Sequence, residues 1–119
     1  MLFHIFNSQK ERIDYGGSDF IEIQFCKLPF NTKSDDITYL DNINHWQNDS
    51  LYVADEEMFY KEYCCIFDTL DIFGINYYSA KLIDTIIEKL GATKPVEYDI
   101  LLKWLNKAKT YNGFYILGV

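Results

Sequence analysis

The chain opens on a short apolar run, Leu2 to Phe6, that predicts a strand. The polar stretch from Asn7 to Arg12 then leads into Ile13-Asp14-Tyr15-Gly16-Gly17-Ser18, which reads as loop and turn. From Asp19 to Leu28 the positions alternate, with Ile21, Ile23 and Phe25 on one side and Glu22, Gln24 and Cys26 on the other. That period of two predicts a half-buried strand, and Pro29 ends it. Asn31 to Ser50 is polar, with Ser34 as a candidate N-cap and Ile37, Leu40 and Trp46 loosely spaced for a short helix. Leu51-Tyr52-Val53 fits either a brief strand or a staple ahead of a helix. Asp55 is a good N-cap, and Glu56 and Glu57 suit the positive end of a helix dipole.

Helical periodicity dominates the second half. Phe59, Tyr63, Ile66, Phe67 and Leu70 form one apolar stripe that Gly74 would close. Ser79 is the expected N-cap of a helix carrying Leu82, Ile83, Ile86, Ile87 and Leu90, with Gly91 placed for a left-handed C-terminal residue. Pro95 fits the first turn of a last helix bearing Ile100, Leu101, Trp104, Leu105 and Ala108, which Asn112-Gly113 terminates. Phe114-Tyr115-Ile116-Leu117 reads as a buried strand. The order predicts an α+β fold: a small sheet formed by N- and C-terminal strands and covered by about three helices, in a single domain spanning residues 1–119.

Composition narrows the class. Nearly half of the 119 residues are apolar and Gly and Pro are scarce, so a packed core is expected. The ten Tyr and nine Phe, with frequent Ile and Asn, are what an A/T-biased genome would supply, so aromatic richness alone carries little functional weight. Cys26, Cys64 and Cys65 are odd in number and two are adjacent, unlike the even frameworks of small secreted domains; a cytoplasmic location is expected. Met1 to Asn7 does not read as a secretion signal, and no segment approaches the roughly 20 apolar residues that span a bilayer, so no membrane is expected.

Candidate chemistry is sparse. His4 sits in an apolar run and His45 in the polar middle segment, and neither belongs to a motif that would activate a cysteine. Adjacent Cys64 and Cys65 on a helix would point about 100° apart, leaving at least one as a packed, inert thiol. Asp41, His45 and Asp49 would align only if their segment were helical, and they lack a fourth ligand. Asp41-Asn42-Ile43-Asn44-His45 has Ile and His where a calcium loop needs oxygen. Gly16-Gly17-Ser18 lacks the second glycine and lysine of a phosphate loop. No catalytic residue, metal site or cofactor is expected.

Charge is the most informative feature. The net charge is −7 and the single arginine is Arg12, which disfavours direct nucleic-acid binding. Between Lys33 and Lys61 there is no Lys or Arg, yet Asp35, Asp36, Asp41, Asp49, Asp55, Glu56 and Glu57 lie there; acids and bases balance elsewhere. With Tyr39 and Trp46 in the same stretch, these nine residues are the expected contact set for a basic partner. A solvated loop aiding solubility explains the same charges.

In size, thiol pattern, acidic segment from Asp35 to Glu57 and lack of a catalytic motif, the chain resembles the small acidic immunity proteins that bacteria pair with toxins. The resemblance implies a non-enzymatic toxin inhibitor that binds a basic toxin domain, often a nuclease, in the cytoplasm. It carries over no functional residue. Two alternatives stay open: an adaptor or regulatory subunit in a larger assembly, using apolar and aromatic surface, and a small enzyme of unknown class. A homodimer is compatible with each.

Overall fold

The computed structural model describes residues 1–16 and 20–118. It is an α+β fold built on one antiparallel sheet of five strands: β1 (Phe3–His4), β2 (Ile21–Phe25), β3 (Leu51–Val53), β4 (Ile75–Tyr78) and β5 (Phe114–Leu117), in spatial order β1-β3-β2-β5-β4. The N- and C-terminal strands do form its middle and one margin, and two further strands come from the central part of the chain. The helices are α1 (Gln9–Gly16), α2 (Ser34–Ile37), α3 (Glu56–Tyr63), α4 (Ile83–Thr93) and α5 (Tyr98–Ala108). No described helix is long and apolar enough to cross a membrane.

The main core lies between one face of the sheet and α3, α4 and α5. Ile21, Ile23 and Phe25 of β2 meet Phe59 and Tyr63 of α3, Ile83, Ile86 and Leu90 of α4, and Leu101, Trp104 and Leu105 of α5. Trp104 stacks on Phe25 at 4.2 Å between ring centroids, so the last helix is anchored to a central strand. Burying a side chain of this size stabilises by about 1.5–3 kcal/mol, and the cluster supplies most of the driving force for folding.

Several elements depart from the sequence expectation for identifiable reasons. Residues 9–16 are helical, where loop and turn were expected, because Ser8 Oγ accepts from Glu11 N–H at 3.1 Å while Glu11 reaches back to the Asn7 N–H at 3.2 Å. This is a capping-box arrangement starting a helix that has no apolar stripe. The expected turn at Gly16-Gly17-Ser18 lies outside the described residues beyond Gly16. Helix α3 stops at Tyr63; Ile66 and Phe67 reach the core from the turn that follows. Cys64 and Cys65 are therefore both exposed, and the expectation of one packed thiol does not hold.

Ser79 precedes a short 3-10 turn, Ala80–Leu82, ahead of α4, and Gly91 stays inside that helix. The left-handed residue is Lys94, at φ 45°. Pro95 lies three residues before α5, whose N-cap is Glu97. In the middle segment Ser34 is the first residue of α2 and not its cap, which is Lys33. A separate 3-10 turn covers Leu40–Asn42, so the segment is not one helix and Asp41, His45 and Asp49 do not share a helix face.

Candidate functional site

Strand β2 is buried on both sides. The polar side of its alternation, expected to meet solvent, is covered by the segment from Phe30 to Ser50. This segment forms a second layer against Cys26, Tyr115, Leu117 and Tyr52. The central residue is Glu22, only 2% exposed. An ionised carboxylate is tolerated there only if its oxygens are fully engaged. Glu22 accepts from the backbone N–H of Trp46 at 2.7 Å and of Gln47 at 2.9 Å, from Ser50 Oγ at 2.7 Å, from Gln24 Nε2 at 3.0 Å and from Tyr52 Oη at 3.4 Å.

Two successive amides converge on one carboxylate because Trp46 is left-handed, at φ 69°. Such a conformation costs a bulky residue about 1–3 kcal/mol and persists only where contacts hold it. Here the Trp46 ring lies between Tyr52, stacked at 5.9 Å, and the buried Arg12 of α1, whose guanidinium carbon is 3.4 Å from the ring centroid. Burial, followed by the nearby charge of Glu22, holds the Tyr52 phenol protonated well above its usual range. Its hydroxyl donates to the Gln47 carbonyl at 2.6 Å, closing the loop onto the strand.

Further along, the same segment is tied at three more points. Lys27 pairs with Asp49 at 2.8 Å, Trp104 Nε1 donates to the Asp49 carbonyl at 2.9 Å, and Gln24 donates to the Asn44 carbonyl at 3.0 Å. Ile37 and Ile43 bury their side chains under the segment, and the buried hydroxyl of Tyr115 donates to the Ile37 carbonyl. Burial raises the Tyr115 phenol strongly, and the Cys26 thiol lies within hydrogen-bonding distance of it.

The nine residues expected from the sequence are thus divided. Asp35, Asp36, Tyr39 and Asp41 lie exposed on the outer surface of the pinned segment, with Tyr39 56% and Leu40 64% exposed. Among the described residues Asp35, Asp36 and Asp41 form no ion pair. Trp46 is half-buried and spent on internal stacking, and Asp49 is paired with Lys27. Asp55 caps α3 by accepting from Met58 N–H at 3.0 Å, and Glu56 and Glu57 fill the first turn of that helix. Since α3 packs on the opposite face of the sheet, these three do not join the first four in one layer. Sequence reasoning missed Glu22 and Arg12, the residues that hold the acidic segment in place. Arg12 had one signal, as the chain's single arginine; Glu22 had none.

A groove of about 850 Å³ runs between β1 and α5 and is lined by Phe3, Ile5, Leu51, Ile100, Trp104 and Lys103 among others. His4 at its margin meets Tyr15 Oη at 3.3 Å, and burial with the N-terminal charge lowers its imidazole below the usual value. Among the described residues no group of three His, Cys, Asp or Glu is arranged to hold a metal ion. No protein-family model, curated protein or solved structure matches the chain.

Proposed function

We propose that this chain is an immunity-type protein that binds and neutralises a basic toxin domain, using the outer surface of the segment from Asp35 to Asp41. The observation that carries the reading is the state of that surface. Three carboxylates that form no ion pair among the described residues flank an exposed Tyr39 and Leu40, on backbone held from below by the Tyr115 hydroxyl at the Ile37 carbonyl. A preformed acidic and aromatic patch binds with little ordering cost, and its charges steer a basic partner into place. Asp49, Asp55, Glu56 and Glu57 contribute to the surrounding field more than to direct contact, because each already has a local role.

The test is capture of partners on a tagged copy at low salt, followed by elution at rising salt. A basic protein held in stoichiometric amount, released by salt and toxic when freed from the chain, supports the reading. Salt-insensitive retention of a neutral or acidic protein favours the adaptor alternative, for which the apolar groove beside α5 is the natural surface.

A further inference from the structure

The two margins of the sheet are treated differently. At one, β1 is two residues long, and the Glu97 carboxylate accepts from the N–H groups of Leu2 and Phe3, so the chain closes this edge itself. At the other, β4 is four residues long and pairs with β5 alone. The Gly118 N–H donates to the Gly74 carbonyl at 2.8 Å, and the register sets Ile75 opposite Leu117 and Asn76 opposite Ile116. Hydrogen-bonding groups alternate in and out along an antiparallel strand. Asn76 and Tyr78 therefore bond to β5, while the N–H and C=O of Ile75 and Tyr77 point away from the sheet. Among the described residues no backbone hydrogen bond reaches β4 from its outer side.

This edge also lacks the devices that usually protect one. From Ile72 to Ala80 there is no charged residue and no proline, in a chain of net charge −7. Phe73 beside the strand is 73% exposed, and Ile75 is exposed within it.

We propose that β4 pairs antiparallel with β4 of a second copy of this chain, about a twofold axis at Asn76. A symmetric antiparallel pairing is centred on a single residue, whose hydrogen-bonding groups face either inward or outward. Centring it on Asn76 sets Ile75 of each copy opposite Tyr77 of the other, so that the outward groups satisfy one another. The same register brings Asp71, at one end of the uncharged run, to the end of the second copy that carries Lys81. Both are exposed, and neither is ion-paired within the described residues. A copy of the chain thus meets its own uncharged stretch in the middle and opposite charges at the ends. A basic partner would find nothing to read along it. The contact is isologous and closed, so it stops at a dimer.

The experiment is sedimentation equilibrium of the full chain over a concentration series. A monomer–dimer equilibrium is expected for the wild type. Ile75→Pro removes an outward N–H without touching the ladder to β5, and Ile75→Lys places a charge on the edge. Each is expected to weaken the dimer by about tenfold or more, with unchanged far-ultraviolet circular dichroism. Lys81→Glu weakens it less, by an amount that shrinks as salt is added. A wild type that stays monomeric at every concentration, or a dimer that both Ile75 variants leave intact, overturns the proposal.

Discussion

The carboxylate of Glu22 accepts the backbone N–H of Trp46 at 2.7 Å, a contact between residues 24 apart in the chain that fastens an acidic loop to the middle of a sheet. The glutamate is fully buried, and among the described residues every donor to it comes from strands β2 and β3 or from the segment it holds. The first prediction follows from that geometry. Glu22→Gln replaces an acceptor oxygen by an NH₂ group facing amide donors, and is expected to destabilise the fold by about 3 kcal/mol in denaturant unfolding. Hydrogen exchange at the Trp46 and Gln47 amides should accelerate beyond what the global loss accounts for. Equal acceleration across all strands would show that Glu22 does not specifically secure the loop.

Alkaline stability provides a second check. Burial, with the charge of Asp68 adding to it, pushes the Tyr78 phenol up to about 12, and Tyr52, Tyr63 and Tyr115 are raised in the same direction. In the unfolded chain a phenol releases its proton near pH 10, while the folded one keeps it. The resulting stability is whole below pH 10 and is lost as pH rises toward 12. Unfolding midpoints should fall through this window, and Tyr78→Phe should flatten the slope, by up to about 2 kcal/mol at its upper end. A midpoint independent of pH there would contradict the burial of these hydroxyls.

Gly113 is the third. It has φ 79°, and a Cβ built on it would lie 2.2 Å from the Tyr78 carbonyl oxygen and 3.0 Å from Ser79 Cα. Both neighbours are backbone, so neither can swing aside. Gly113→Ala is expected to cost about 3 kcal/mol, measured as a shift in the denaturation midpoint; a neutral result would mean that β4 and β5 approach less closely than described.

The cysteines give a fourth. Cys64 and Cys65 are exposed and free, and Cys26 is fully buried. A thiol reagent should modify two sites in the native protein and the third only on unfolding. Three fast sites would contradict the packing of the loop layer over Cys26.

The α+β class and the apolar stripes of α4 and α5 were legible because longer helices and alternating strands announce themselves by period, whereas the stripe from Phe59 to Leu70 runs past the end of α3 at Tyr63. What was not legible has physical causes. Helix α1 rests on the Ser8–Glu11 cap and has no apolar stripe for periodicity to detect. Strand β4 is short and polar in part, since Asn76 spends its side chain on the Asp71 and Ile116 carbonyls. The alternation of β2 assigned Glu22 to solvent because a period of two identifies sides and cannot say that both are covered. The acidic segment was visible as composition. That Asp35, Asp36 and Asp41 separate from Asp55, Glu56 and Glu57 depended on which face of the sheet each element packs against, and that is a property of the tertiary fold.

The central claim is that the outer face of the pinned segment receives a basic partner, and one measurement bears on it most directly. The association rate of the captured basic partner is measured for the wild type and for the combined Asp35→Asn, Asp36→Asn and Asp41→Asn variant, at low and at high salt. Because these carboxylates are exposed and form no ion pair among the described residues, the variant should fold as the wild type does. It should associate about tenfold or more slowly at low salt, with the difference closing as salt screens the charges. A folded variant that associates at the wild-type rate at low salt would contradict the account.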